Sequence, residues 1–446
     1  MFKTLKNAWK TPELQKKMLF TLFIVLLYRL GACICVPYVS GEIAESFSAL
    51  YGSSVLGLMS ILSGGAMQYA TLFALSVSPY ITASIVMQLL TIAIPPLERM
   101  AKDGANGQKK INAITRYVTV GLALLTSYGY SMLLSSQGWL VRDDWFAMIV
   151  INACFCAGAS LVMWLAELIN DKGIGNGISI ILFANIISRL PSMVQSAWSV
   201  LIMRNYTSIK PVSIIIGVAI ALAVAAITIA AVGFVVWVTN SERRIPIQYA
   251  KRVVGRKMYG GQSTNLPIKL NMTGVMPIIF ASSIVSFPAT IAAFFSKENA
   301  YTKFVDNFLA PDTWIYFVLF LVLTVAFSYF YVLISFNPVE VANNINSNGG
   351  AVPGHRPGRP TVQYINRILK RVTLIGAFFL CIVAGVPMLV TVVTSALANA
   401  GVSVPAGLSV LTFSGSSLLI VVGVILETIR DLEAQLSMRQ SKGFLG

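Results

Sequence analysis

Charged residues are scarce in this chain, and their scarcity excludes a water-soluble fold. Only 11% of the 446 residues are Asp, Glu, Lys or Arg, and 56% are hydrophobic, whereas a soluble domain carries about 25% charged residues. No aqueous fold could cover so much apolar surface with so few polar side chains. A helix needs roughly 20 apolar residues to cross the hydrocarbon core of a bilayer. Many runs of that length occur here, which predicts a polytopic helical membrane protein.

Metal-binding and disulfide-forming residues are also few. The chain has one histidine, His355, and its five cysteines lie inside apolar runs without a CxxC spacing. A metal cluster or a disulfide framework is therefore not expected, and buried packing is the simplest interpretation of the cysteines. The GIGNG segment lacks the Lys-Ser/Thr ending of a phosphate-binding loop and is interpreted as a turn. The sequence predicts neither a catalytic site nor a cofactor.

Ten apolar runs of helical length predict ten transmembrane spans. The first follows five lysines and is too long for a signal peptide, because it continues without a cleavage site. A shorter apolar stretch, residues 53–66, cannot cross the bilayer and must be re-entrant, buried or interfacial. The predicted spans are 18–36, 72–94, 116–134, 146–167, 174–194, 212–238, 272–296, 313–335, 372–393 and 405–428.

The distribution of basic residues predicts the orientation of the spans. A net charge of +16 would suggest nucleic acid in a soluble protein, but most of the 33 lysines and arginines fall in alternate loops. Under the positive-inside rule, those loops and both termini are cytoplasmic. Ten spans divide into two groups of five with opposite orientation, so an inverted repeat is possible, as in many secondary transporters. The predicted segments are a cytoplasmic amino terminus (1–17), a first half (18–194), an external hinge loop (195–211), a second half (212–428) and a cytoplasmic tail (429–446).

Acidic residues and histidine are almost absent from the predicted spans, which disfavours an ion-coupled transporter. Such proteins usually carry intramembrane acids or histidines that bind the coupling ion or relay protons. Glu167 and Glu427 lie near span ends, and Arg29 is the one charge well inside a span. Burying an arginine costs about 2.5 to 3.5 kcal/mol on insertion scales, so Arg29 should face other helices or water. A structural contact in the bundle and a role in a pore are both open interpretations of this residue.

Two predicted cytoplasmic loops, residues 239–271 and 336–371, are unusually long and basic. Gly260 and Gly261 predict a turn in the first, and repeated glycine and proline between 349 and 360 exclude long helices in the second. Basic projecting loops suit an anionic partner such as ribosomal RNA or an acidic protein face. The positive-inside rule alone would explain their charge but not their length. The predicted docking residues are Lys251, Arg252, Arg256, Lys257 and Arg356.

Several motifs along the chain resemble the SecY family of protein-translocation channels. They run in order from YRLG at 28–31 to MRQSKGFLG at 438–446, and agreement of several motifs at matching spacing is not expected by chance. The resemblance implies an all-α integral membrane protein in which two inverted five-helix halves form a clamshell pore with a re-entrant plug and a lateral exit. The other motifs are FALSVSPYITASIVMQLL at 73–90, GIGNGIS at 173–179, YAKRVVGRKMYGGQST at 249–264 and MPIIFASSI at 276–284.

The resemblance also implies which residues form the pore constriction. Without it, aliphatic residues in apolar spans would be interpreted as ordinary packing. An aliphatic neck makes no hydrogen bonds to a moving chain and disfavours ions and water by dewetting. Val77 and Ile81 are four residues apart, as are Ile178 and Leu182, so each pair shares a helix face. The implied ring is Val77, Ile81, Ile178, Leu182, Ile279 and Ile420.

The plug and the lateral gate are implied in the same way. The plug matches the short apolar stretch, although an external interfacial helix without a gating role is an alternative. The gate would lie between the second and third spans and the seventh and eighth, with a polar seam of interhelical hydrogen bonds worth on the order of 0.6 kcal/mol each. The plug residues are Ser54, Val55, Leu56, Gly57, Leu58, Met59, Ser60, Ile61, Leu62, Ser63, Gly64 and Gly65, and the gate residues are Thr82, Gln88, Thr126, Asn271 and Ser283.

The function implied by the resemblance is that of the central channel subunit of a Sec translocase. It would conduct unfolded secretory proteins across the bacterial cell membrane and release transmembrane segments sideways into the lipid bilayer. The chain would not be an enzyme, so a SecA-like motor ATPase or the ribosome would supply the energy. SecE-like and SecG-like small membrane subunits, signal peptides and unfolded client proteins complete the expected partners. An ion-coupled secondary transporter with inverted repeats is the alternative.

Overall fold

Helices dominate the computed structural model, which describes residues 2–40, 43–44, 46–47, 59–60, 63–198, 226, 229–249, 252–254, 257–259, 263–292, 299–310, 313–399 and 415–442. The helices before residue 200 are α1 (Phe2–Lys10), α2 (Pro12–Gly31), α3 (Ser78–Ala93), α4 (Pro95–Lys102), α5 (Ala105–Ser136), α6 (Trp145–Lys172) and α7 (Gly177–Trp198). Those after it are α8 (Ile229–Asn240), α9 (Met276–Ala292), α10 (Ala300–Phe308), α11 (Trp314–Ser335), α12 (Pro338–Ser347), α13 (Arg359–Asn399) and α14 (Gly415–Lys442).

A helix occurs at each of the ten predicted spans, although not all are long enough to cross a bilayer within the described residues. Four meet the requirements of length and hydropathy on their own: Asn106–Ser136, Trp145–Lys172, Trp314–Ser347 and Arg359–Thr394. The pair α3 and α4 meets them together but is bent by 100° at the break between the helices. Shorter apolar helices are Gly177–Arg189, Ile229–Asn240 and Met276–Pro288. Residues 199–211, most of the predicted hinge loop, lie outside the described part of the chain.

Several helix bounds differ from the predicted spans. Helix α5 begins at Ala105, ahead of the apolar run at 116, because the polar residues at its start are compatible with a helix. Helix α2 ends at Gly31, five residues before the predicted end at residue 36. Gly31 packs closely against Phe73, because a Cβ on Gly31 would lie 2.1 Å from the Phe73 ring. The chain then makes turns, and α3 begins at Ser78, followed by Pro79 in the first helical turn. Hydropathy therefore located a helix at each predicted span but not the ends of that helix.

A small sheet joins the two long predicted loops, and it was not anticipated from the sequence. Strand β1 (Glu242–Tyr249) pairs antiparallel with β4 (Ser263–Lys269) and with β5 (Gly350–Ala351), in the order β4-β1-β5. Between β1 and β4, β2 (Arg252–Val254) and β3 (Lys257–Tyr259) form a hairpin. The expectation of an all-α protein is confirmed as a mostly helical fold, with these strands as the exception.

The largest apolar cluster lies among helices of both predicted halves. It includes buried side chains from α2, α3, α6 and α7 of the first half and from α8, α9, α11, α13 and α14 of the second. Helix α9 contacts α3 and α5, and α14 contacts α7. These contacts define the boundary between the predicted halves, where the candidate site lies.

Candidate pore and lateral gate

The six residues predicted to form the constriction lie in one apolar cluster. Val77 directly precedes α3, and Ile420 lies on α14. All but Ile178 are at most 4% exposed, and Ile178 is partly buried against the same cluster. The cluster contains many other residues, so shared burial brings the six side chains together without defining a ring. Their role as a constriction stays a prediction.

Two asparagines fix the start of α7, which carries Ile178 and Leu182. The Oδ1 atom of Asn176 accepts a hydrogen bond from the backbone N–H of Ile178 at 3.1 Å, and Oδ1 of Asn170 accepts one from Gly177 at 2.7 Å. Such caps satisfy amides that have no partner inside the helix and contribute typically about 1 kcal/mol each. The GIGNG segment is thus a turn that positions two of the predicted constriction residues.

Only the end of the predicted plug is described. Met59, Ser60, Ser63, Gly64 and Gly65 belong to it, and Ser60 and Ser63 are at most 1% exposed. The Ser63 hydroxyl donates to the Ser60 carbonyl at 3.0 Å and accepts from the Met67 N–H at 3.2 Å. This end of the stretch is therefore buried and hydrogen-bonded. The residues that lie outside the described part are Ser54, Val55, Leu56, Gly57, Leu58, Ile61 and Leu62.

Arg29 lies against this end of the predicted plug, in a contact that was not anticipated from the sequence. A Cβ on Gly64 would lie 3.0 Å from Nη1 of Arg29 and 3.0 Å from Oδ1 of Asn185, and its φ of +67° favours glycine. Asn185 Nδ2 donates to the Ser76 hydroxyl at 3.1 Å, and Tyr28 Oη lies 3.1 Å from the same hydroxyl. Arg29 thus contacts other parts of the bundle beside the predicted plug, and a role for it in a pore stays a prediction. The sequence features that could have indicated this contact are a charged residue, Arg29, and an amide, Asn185, within apolar spans.

Three of the five predicted gate residues line one cavity at the boundary between the predicted halves. Thr82 of α3, Thr126 of α5 and Ser283 of α9 surround a space of about 80 Å³ together with Met59 of the predicted plug. Each hydroxyl donates to a carbonyl of its own helix, at 3.1, 2.8 and 2.8 Å respectively. The polar seam expected from direct interhelical bonds is therefore not found at these three residues, because a helical hydroxyl can bond to the carbonyl one turn back.

Gln88 makes a direct hydrogen bond across this boundary. The Tyr331 hydroxyl of α11 donates to Gln88 Oε1 of α3 at 2.7 Å. The Tyr331 ring also packs against Phe280 of α9, with ring centroids 5.1 Å apart. Gln88 is thus the predicted gate residue with the most direct link between the helices of the two predicted halves.

Asn271 is not brought to the boundary with the other predicted gate residues. It precedes α9 and lines a small pocket with Ser328 of α11 and Thr373 of α13, all within the predicted second half. Its Oδ1 atom is buried without a hydrogen-bond partner among the described residues. Asn271 is close to α9 in the sequence, but its side chain does not lie at the predicted gate.

The predicted docking residues lie on two loops that the small sheet holds together. Arg252 and Lys257 are on the paired strands β2 and β3, and Lys251 and Arg256 lie outside the described part of the chain. Arg356 is exposed in the turn before α13. Pairing of β1 with β5 joins residues far apart in the sequence, so the two loops are connected at this sheet.

Comparison with known proteins gives both the fold and the family. A sequence model of the SecY family matches residues 71–429. The protein translocase subunit SecY of Streptomyces galbus is 41% identical over 458 residues, which cover 100% of both chains. A solved structure of a protein-conducting channel is similar with a TM-score of 0.61 and 16% identity, covering 94% of this chain and 92% of that one. Sec61 in the canine ribosome–channel complex from the endoplasmic reticulum gives a TM-score of 0.56 and 15% identity, with the same coverage of 94% and 92%. The solved structures establish the fold, and the family model and the full-length relative establish that the chain belongs to the SecY family.

Proposed function

We propose that this chain is the central channel subunit of a Sec protein translocase and conducts unfolded secretory proteins across a membrane. A relative that matches it over its whole length is a protein translocase subunit. The structural observation that carries the proposal is the convergence of aliphatic residues from α3, α7, α9 and α14 in one buried cluster. These helices come from both predicted halves, as a pore between two halves requires.

The six aliphatic residues act as a seal around the path of the moving chain. Isoleucine, leucine and valine offer no hydrogen bonds to a passing peptide, so they do not select among its side chains. A narrow apolar neck also disfavours ions and water by dewetting. The plug closes the path in the resting state, and its buried end beside Arg29 and Asn185 supports this role.

Transmembrane segments leave the channel sideways between α3 and α5 on one side and α9 and α11 on the other. The cavity lined by Thr82, Thr126 and Ser283 lies at this boundary, and one direct bond there joins Gln88 to Tyr331. An interhelical hydrogen bond in a membrane contributes about 0.6 kcal/mol. The free energy gained when an apolar signal helix inserts can offset the loss of so weak a hydrogen bond.

The chain lies in the bacterial cell membrane with both termini in the cytoplasm. The basic loops, held together by the β4-β1-β5 sheet, dock a SecA-like motor ATPase or the ribosome. A ribosome–channel complex is known for the similar Sec61 chain. SecE-like and SecG-like subunits complete the translocase, and signal peptides and unfolded client proteins are its substrates.

Reconstitution tests this proposal directly. Vesicles that contain this chain with its small subunits should protect a signal-bearing precursor from added protease when the motor and ATP are supplied. The same precursor without its signal sequence is the matched control and should stay accessible. Equal digestion of both precursors, in vesicles where the motor binds, would exclude a protein-conducting function.

A further inference from the structure

The last helix continues beyond the apolar run of the tenth span, and its final turns carry a stripe of residues on one side. Helix α14 extends to Lys442, whereas the apolar run ends near 428. Within this extension, spacings of three and four residues place the stripe on a single helix face. The stripe consists of Thr428, Asp431, Leu432, Gln435 and Leu436.

This stripe contacts the predicted amino terminus (1–17) and the predicted first half (18–194) of the chain. Asp431 Oδ2 accepts a hydrogen bond from the Gly175 N–H at 2.9 Å, and Gln435 Oε1 accepts one from Lys17 Nζ at 3.2 Å. Leu432 is 3% exposed and packs in a cluster with Leu14 of α2. The extension is thus joined to the amino terminus and the first half by polar and apolar contacts.

The backbone at Gly175 is shaped for this approach. Its φ is +75°, and a Cβ there would lie 3.1 Å from the Thr428 hydroxyl. Glycine is therefore required both by the backbone conformation and by the proximity of α14.

Arg430, the neighbour of Asp431, contacts the predicted second half. Its Nη2 atom donates to the Thr239 carbonyl at 2.5 Å and to Asn240 Oδ1 at 3.1 Å, at the end of α8. The adjacent residues Arg430 and Asp431 have opposite charges, and they connect α14 to the second half and to the first half respectively. Of these two residues, Asp431 is the one whose contact crosses the boundary between the halves.

We propose that Asp431 is a positioning residue that holds the start of α7 against α14. Ile178 and Leu182 lie in the helix that begins just after Gly175, and Ile420 lies on the same helix as Asp431. The hydrogen bond between Asp431 and Gly175, called the joint below, therefore fixes the position of α7 relative to α14. The effect of the joint on the seal rests on the proposed constriction. The existence of the joint does not depend on that proposal.

Distances between spin labels test the joint. Lys172 and Ala434 are exposed on either side of it and accept labels in a chain whose native cysteines are replaced by alanine. In the assembled translocase, Asp431→Ala should lengthen and broaden the distance distribution. Asp431→Asn keeps an acceptor oxygen and should retain the wild-type distribution. Glu433→Ala removes a carboxylate from an exposed position on the same helix and should also leave it unchanged. A wild-type distribution for Asp431→Ala would overturn the proposal.

Resting ion conductance separates failure of the joint from failure of the constriction. Loss of a charge-assisted hydrogen bond should raise the leak of Asp431→Ala about tenfold, and Asp431→Asn should stay tight. A changed distance with no added leak would support the joint and contradict the mapped constriction. An unchanged distance would overturn the joint whatever the conductance.

Discussion

Replacing Gly64 by alanine tests whether the described end of the predicted plug packs tightly against its neighbours. Gly64 and Gly138 have nearly equal φ values of +67° and +69°, so alanine costs roughly 1 to 2 kcal/mol of backbone energy at either position. A Cβ at Gly64 would also meet Arg29 and Asn185 at 3.0 Å, whereas a Cβ at Gly138 meets nothing within 4 Å. We expect Gly64→Ala to lower the thermal unfolding temperature more than Gly138→Ala. Equal shifts would contradict the tight contact at Gly64.

Tyr331 offers a test of the direct bond across the gate. Tyr331→Phe removes the hydroxyl that donates to Gln88 at 2.7 Å and keeps the ring. The closed gate should lose about 0.6 kcal/mol, so export of a precursor with a weakly apolar signal should rise roughly two- to threefold. Tyr329 is the control, because its hydroxyl donates to the backbone carbonyl of Lys370 in α13 at a longer 3.4 Å. Equal export by Tyr331→Phe and Tyr329→Phe would show that the Gln88 bond does not restrain the gate.

Side-chain contacts were the least predictable feature of the candidate site. Aliphatic character alone did not distinguish Ile81, which is buried, from Val86 and Ile92, which are exposed on the same helix. The contact of Arg29 with Gly64 depends on how α2 meets a segment distant in the sequence, which no local pattern encodes. Asn271 shows the converse, because its side chain turned towards α11 and α13 although it lies close to a gate helix in the sequence.

Among the elements, the helices were predictable and the strands were not. Apolar runs of span length leave few alternatives to a helix in a bilayer, and each run coincides with one. Strand β5 has only two residues and pairs with a strand about a hundred residues earlier. The burial of Ile245 and Ile247 in β1 follows the strand period of two, but this pattern is too short to stand out within a basic loop.

The paired loops lead to a prediction about docking. Reversing the charges of Lys251, Arg252, Arg256, Lys257 and Arg356 should weaken binding of a SecA-like motor or of ribosomes. Wild-type affinity should also fall as salt concentration rises, because exposed charges are screened. Sedimentation with the reconstituted vesicles measures both effects.

The control for docking is reversal of basic residues on another exposed segment. Lys109 and Lys110 are exposed near the start of α5, and their reversal should change binding much less. Binding that is insensitive to salt and to reversal of the loop charges would exclude the two loops as the docking surface.

At the scale of the whole molecule, channel and transporter make opposite predictions. Glu167 is held in an ion pair with Arg116, with Oε2 and Nη2 2.8 Å apart, which leaves it an unsuitable carboxylate for binding a coupling ion. Vesicles with this protein should accumulate no solute when a proton or sodium gradient is imposed. An established coupled transporter in identical vesicles is the positive control. Gradient-driven accumulation by this chain would support the transporter alternative.

The helical architecture was predictable because the bilayer limits the possible folds. The helix contacts that bring the predicted constriction residues together were not predictable. Composition and apolar runs predicted a polytopic helical membrane protein, and the mostly helical fold confirms this, whereas the division into two groups of five spans stays a prediction. Ile178 and Ile420 belong to one apolar cluster because α7 packs against α14, and contacts such as Asp431 with Gly175 contribute to that packing. Such contacts join residues that are far apart in the chain and leave no periodic signal.

Single-channel recording tests the central claim, that six aliphatic residues seal the path. A variant with Ile81, Ile178 and Ile279 replaced by serine and residues 56–63 deleted should conduct ions in the absence of a translocating chain, because a polar neck stays wet. The wild-type channel should remain closed to ions, and protein translocation should continue in both. A variant that stays ion-tight would show that the seal lies elsewhere and would contradict this assignment of the pore.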